Sequence, residues 1–122
     1  MATEASRPIG AFRYFPILVL VAMIGVTTWA SVEKPLSEGF RLMLAERWGV
    51  ATLFDAYFGF LTFYAWVFYK ERSALARIGW LAILLFFGNI AMALYLLREL
   101  RRLPPGADFA ALLLRRSESP RP

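Results

Sequence analysis

One carboxylate stands alone in apolar surroundings. Asp55 is the single charged residue within three blocks, 14–32, 50–69 and 78–97, that otherwise lack Asp, Glu, Lys and Arg. An Asp at the centre of a membrane helix costs about 2.5–3.5 kcal/mol on insertion scales, so one kept there binds a cation, a proton or a polar headgroup, or pairs with another helix. If block 78–97 returns antiparallel beside block 50–69, Asn89 and Tyr95 come to the depth of Asp55. Thr27 and Thr28, near the end of the first block, reach the same level. The expected constellation is a polar cluster of Asp55, Asn89, Tyr95, Thr27 and Thr28, serving ligand binding or helix packing. Packing is favoured by the stripe that carries Asp55, because Ala51, Gly59, Thr62 and Trp66 recur with it at three- and four-residue spacing. Gly88 in the third block is a further packing position. Small and polar residues on one stripe let helices approach closely in lipid.

Other chemistry is excluded by residues that are missing. The chain has no His and no Cys, which removes disulfides, thiol nucleophiles, imidazole bases and the usual ligands of zinc and haem. No Gly-rich phosphate loop, carboxylate pair or Ser/Lys dyad falls inside an apolar block. The expectation is a non-enzymatic chain without cofactor or metal. Block 50–69 is rich in Phe, Tyr and Trp. Such a surface packs or meets lipid, with a bound quinone or other isoprenoid as the alternative.

These residues must be positioned by helices. Of 122 residues, 59% are hydrophobic and only 19% charged, whereas soluble domains carry about a quarter charged residues. Each block has about the 20 residues a helix needs to cross a bilayer. The predicted fold is all-α, an integral membrane three-helix bundle in one domain over 1–122, with short interfacial amphipathic helices. The formal net charge of +5 reflects bases collected at the block ends, where they set topology and meet anionic headgroups. A nucleic-acid partner is not expected, since no basic stripe alternates with aromatics on a polar surface. Segment 33–48 predicts either an interfacial helix capped by Ser37, with Trp48 at headgroup level, or a solvated connecting loop, and Trp66 and Trp80 fit an interfacial belt. The run from Tyr69 to Ser73 reads as a stop signal in which Glu71 compensates Lys70 and Arg72. Asp108 is placed to cap a terminal amphipathic segment whose Arg115 and Arg116 meet anionic lipid, and 117–122 reads as a disordered tail. Counting bases by block favours a cytoplasmic C-terminus, whereas the short, strongly basic linker after the second block argues the opposite way; the expectation follows the count, with a bacterial inner membrane as the location.

The run TLFDAYFGFLTFYAWVFYKERS, followed after a short linker by Trp80 and FFGNIAMALYLLREL, resembles small three-span membrane proteins of bacteria and plants catalogued as domains of unknown function. Asp55, Trp66, Lys70, Glu71, Gly88 and Asn89 carry the resemblance, which covers about 48–114. It implies a three-helix unit and no particular activity. By exclusion, the expected role is an accessory or scaffolding subunit of a larger membrane complex. The alternative is an oligomeric small transporter or lipid-binding protein centred on Asp55. The expected partners are the bilayer and other membrane subunits or further copies of the chain.

Overall fold

The computed structural model describes residues 9–115, and every regular element among them is helical. A 3-10 turn, Gly10–Arg13, runs into α1 (Tyr14–Glu33), followed by α2 (Leu36–Ala45), α3 (Arg47–Lys70), α4 (Ala74–Phe87), α5 (Asn89–Arg101) and α6 (Phe109–Leu113). Two helical stretches, Gly10–Glu33 and Arg47–Lys70, are long and apolar enough to cross a membrane.

Local chemistry sets each boundary. Pro16 lies in the first turn of α1, where its missing N–H breaks no helical bond. Pro35 forces the residue before it out of helical geometry, and Lys34 is extended at φ −145°, ψ 145°. Pro35 itself occupies the N-cap of α2, so Ser37 lies inside the first turn and does not cap it. Glu46 is again extended and turns α2 back onto the start of α3. That return is close, since a Cβ at Gly49 would collide with the backbone of Met43. Ser73 accepts a hydrogen bond from the Ala76 amide and caps α4.

The third apolar block is not one helix. It breaks at Gly88, whose φ of +53° ends α4 and starts α5. This is a conformation that glycine adopts without steric cost. The break reverses the chain, because the rings of Trp80 and Tyr95, which a straight helix would hold about 22 Å apart, lie 4.7 Å centroid to centroid. Gly88 packs under the Phe60 ring, where an added Cβ would come within 2.6 Å of the ring carbon Cζ. The Tyr57 hydroxyl donates to the Leu85 carbonyl at 3.2 Å beside the same turn. The α4–α5 hairpin therefore starts at the Lys70 end of α3, climbs about 20 Å to the level of Tyr57 and Phe60, and comes back. The expected antiparallel return of a single 78–97 helix is replaced by this fold-back.

The fold-back gathers the chain at one end. Helix α1 packs along α5; the Ile9 amide bonds the Ala107 carbonyl at 3.1 Å, and Phe12 meets Phe109 edge-on at 5.2 Å. Residues 9–13, 70–77 and 98–115 share that end, whereas α2 and its flanks lie at the other. Of the bases among the described residues, Arg13, Lys70, Arg72, Arg77, Arg98, Arg101, Arg102 and Arg115 belong to the first end. Only Lys34, Arg41 and Arg47 belong to the second.

The reversal is measurable without background labelling, since the chain has no native cysteine. Spin labels at Leu75→Cys and Arg101→Cys should lie within about 20 Å of each other, against about 39 Å for an unbroken helix at 1.5 Å per residue. A pulsed-resonance distance near the larger value would disprove the hairpin.

Candidate functional site

The core is small and aromatic. Val67, Leu84, Ala91 and Tyr95 are fully buried, with Phe63, Tyr64, Trp66, Trp80 and Met92 packed around them. Tyr95 sits edge-on to three rings, Phe63 at 6.1 Å, Trp66 at 5.5 Å and Trp80 at 4.7 Å. Such pairs add about 0.5–1.5 kcal/mol each beyond area burial. The Tyr95 hydroxyl has no hydrogen-bond partner among the described residues.

Below this cage lies a buried charge network. The Lys70 ammonium is 3.1 Å from Glu99 Oε1, with the two side chains 3% and 4% exposed. It also donates to the carbonyl oxygens of Leu112 at 2.6 Å and Leu114 at 3.1 Å. An ammonium has three donors, and these three acceptors satisfy them. Arg98 bonds Glu71 at 3.0 Å and lies 3.8 Å from Glu99 Oε2, while Arg102 reaches Glu99 Oε2 at 3.6 Å. The Arg98 guanidinium also faces the rings of Trp80 and Tyr95. Arg77 ties the α3–α4 link by donating to the carbonyls of Phe68 and Glu71 at 3.0 and 2.9 Å. The Tyr64 hydroxyl donates to the Arg77 carbonyl at 2.8 Å. Glu71 thus pairs across the fold with Arg98, and Lys70 with Glu99, in place of the local compensation within 69–73 that the sequence implies.

The terminal segment is docked on this network. Asp108 accepts from the Ala111 amide at 3.0 Å and caps α6, the position its place in the sequence predicts. Leu112 is 2% exposed. The Trp66 indole donates to the Leu113 carbonyl at 2.9 Å, and the Arg115 guanidinium donates to the Tyr69 carbonyl at 2.8 Å while stacking over its ring. Arg115 is therefore engaged within the chain, and Arg116 lies outside the described residues. Trp66 and Trp80 are partly buried around Tyr95, whereas Trp48 is 85% exposed at the start of α3.

The expected polar cluster is not brought together. Tyr95 meets α3 at Trp66, about 16 Å along the helix from Asp55, because the turn at Gly88 sends α5 back toward Lys70. Asn89 is exposed at the turn, and Thr27 and Thr28 are exposed on the far half of α1. Thr27 lines a groove there with Trp29, Glu33 and Lys34. Asp55 is exposed on α3 without a hydrogen bond or ion pair among the described residues. Gly59 is exposed with open space where a Cβ would stand, and Thr62 donates to the Phe58 carbonyl of its own helix.

A family model described as a protein of unknown function, DUF1475, matches residues 1–119. The chain belongs to the DUF1475 family. That match extends well beyond 48–114, the stretch that carries the resemblance to domains of unknown function. No curated protein and no solved structure shows a significant match.

In this DUF1475 chain the decisive residues, Lys70, Glu71, Arg98 and Glu99, are ones the sequence offers as the charged ends of apolar blocks. The missed signal is Gly88 followed by Asn89 near the middle of a 20-residue apolar run: a glycine followed by a polar residue there marks a turn as well as a packing point. Among the described residues no group of three or more His, Cys, Asp or Glu is arranged to hold a metal ion. The Lys70 ammonium is saturated, whereas Glu99 Oε2 is buried with no hydrogen bond among the described residues and only the more distant charges of Arg98 and Arg102 beside it; the chemistry of the network is that of a clamp.

Removing one partner of a buried ion pair leaves the other charge uncompensated, at a cost of about 3–5 kcal/mol. Glu99→Ala should lose stability on that scale, and Arg102→Gln, whose side chain is 42% exposed, about 1 kcal/mol or less. Detergent-denaturant titration followed by helical circular dichroism measures both. Equal losses would show that Lys70–Glu99 does not close the fold.

Proposed function

We propose that this chain is a non-catalytic integral membrane subunit that presents the outer face of α3 to another membrane helix. On this reading α1 and α3 cross the bilayer, α2 lies in the interface, and the α4–α5 hairpin dips in from the basic end. The observation that carries the proposal is Asp55, exposed and unpartnered among the described residues about 12 Å from the start of α3, in an otherwise apolar stretch. A lipid-facing Asp at that depth is costly, and a second helix bringing a polar partner relieves the cost. Gly59 and Ala51, exposed on the same stripe, give that helix room for close backbone approach. The occupant is a helix of a larger inner-membrane complex. A second reading places further copies of this chain there, with Asp55 lining a carrier for a cation or lipid, and the same exposed carboxyl group favours it.

The test is native mass determination from lipid nanodiscs. Wild type should emerge in a stoichiometric assembly, Asp55→Asn should retain it through hydrogen bonding, and Asp55→Leu should lose it at least tenfold. A wild-type monomer would defeat the docking reading. A homo-oligomer whose Asp55→Asn variant keeps its assembly but loses solute uptake would establish the carrier.

Orientation follows from the segregation of bases. Eight of the eleven bases among the described residues share one end, and the positive-inside rule places that end in the cytoplasm. On this reading Ile9 and the α6 region, joined through the Ile9–Ala107 bond, lie on the cytoplasmic side. In intact cells a membrane-impermeant thiol reagent should label Glu38→Cys on α2 and leave Arg102→Cys unlabelled until the cells are opened. The reverse pattern would invert the topology.

A further inference from the structure

Two arginines at the basic end, Arg13 and Arg101, stand outside both the clamp and the carbonyl contacts that hold Arg77 and Arg115. Lys70, Arg98 and Arg102 are paired with Glu71 and Glu99, whereas Arg13 and Arg101 form no ion pair among the described residues. Both line one cavity of about 430 Å³ between the start of α1 and the end of α5, floored by Ile17, Leu97 and Leu100. Arg13 is held beside Tyr14, its guanidinium 3.1 Å from the hydroxyl. A smaller hollow of about 220 Å³ continues the cavity past Arg13 and Leu100 toward Pro104 and Gly106.

The spacing gives this groove a polarity. Ile17 follows Arg13 by one helical turn, and Leu97 precedes Arg101 by one turn on a helix running the other way. The two guanidiniums therefore share one level at the mouth, and the aliphatic side chains share a level about 6 Å deeper. From there the exposed residues Leu18 and Val21 continue the apolar surface along α1.

We propose that this groove binds an anionic glycerophospholipid, its phosphate between Arg13 and Arg101 and its acyl chains over Ile17 and Leu97. The ligand class follows from charge and layering together. Two unneutralised guanidiniums match an anionic phosphate bidentately, a zwitterionic headgroup would add an ammonium to the same mouth, and an apolar floor one turn deeper is wasted on a free phosphate ion. The site rests on the membrane reading of the preceding subsection, with the basic end at a headgroup layer. It also moves the lipid contact expected of Arg115 to a different pair of residues.

The experiment uses the full chain in nanodiscs of phosphatidylcholine with a minor fraction of phosphatidylglycerol, counting lipids retained after release into a mass spectrometer. Wild type should retain phosphatidylglycerol in clear excess over its share of the bilayer. Each of Arg13→Gln and Arg101→Gln should cut that preference about fivefold, the size of one surface charge against anionic lipid. Arg41→Gln, at the opposite end on α2, should leave it unchanged. Both test side chains are exposed, and unaltered thermal melting of each variant confirms that folding is intact. No lipid preference in an inserted wild type, or no loss in either variant, overturns the proposal while leaving membrane integration standing. Displacement of the lipid by millimolar inorganic phosphate would assign the mouth to free phosphate and also overturn it. Release of wild type from membranes by alkaline carbonate would bring down the membrane reading and this site together.

Discussion

The fold depends on a salt link between the end of one helix and the end of a hairpin. Lys70 and Glu99 meet at 3.1 Å with almost no exposure, and everything that reverses at Gly88 has to return to that point. Apolar contacts contribute little to this closure if the helices sit in lipid, because lipid tails are as apolar as the side chains they would replace. The fully buried apolar core is correspondingly small, a cluster of four residues that includes Tyr95. The hairpin is thus defined by its two ends, a glycine turn under Phe60 and an ion-pair clamp at the mouth, with an aromatic cage between them. Burying charge is expensive, and here the cost is offset in part: each Lys70 donor has an acceptor, and Glu99 is approached by three cations, although its Oε2 makes no hydrogen bond among the described residues.

The sequence disclosed helices and their limits more readily than their path. The uncharged run 14–32 and the aromatic run 50–69 fall inside α1 and α3, because periodic apolar length is a local property. Asp108 marks a boundary that the structure keeps, whereas the cap expected at Ser37 falls two residues late, behind Pro35. The path failed at Gly88. A 20-residue apolar run satisfies the length rule for a span whether it is straight or folded in half, and only the φ of one glycine separates the two. With the turn misread, the depth of every later residue was reversed, which is why Tyr95 was placed beside Asp55 and stands instead beside Trp66. Lys70, Glu71, Arg98 and Glu99 were legible as charges, but their pairing spans 27 to 29 positions and exists only after the fold-back.

The same turn sorts the polar groups into two populations. Those at the basic end are mostly matched to one another, in the clamp and in the docking of α6. On the outer face of α3, Thr62 bonds only its own helix, and Asp55 has no partner among the described residues. A protein that pairs its buried charges while leaving one carboxylate bare on an apolar helix divides its surface into a finished end and an unfinished side. The functional proposal places the partner on the unfinished side. The proposed lipid site lies at the finished end, in a groove lined by two arginines that have no ion pair among the described residues.

The docking of α6 rests on main-chain oxygens. Lys70 takes the carbonyls of Leu112 and Leu114, Trp66 that of Leu113, and in the opposite direction Arg115 takes that of Tyr69. Every residue type, proline included, supplies a carbonyl. Recognition of this kind reads the course of the backbone and ignores the identity of most side chains along it. The exposed side chains of Leu113 and Leu114 are therefore free to drift over evolutionary time without releasing the segment, whereas Lys70 and Trp66 are not, and a terminal sequence that looks poorly constrained can belong to a rigidly held part of the molecule.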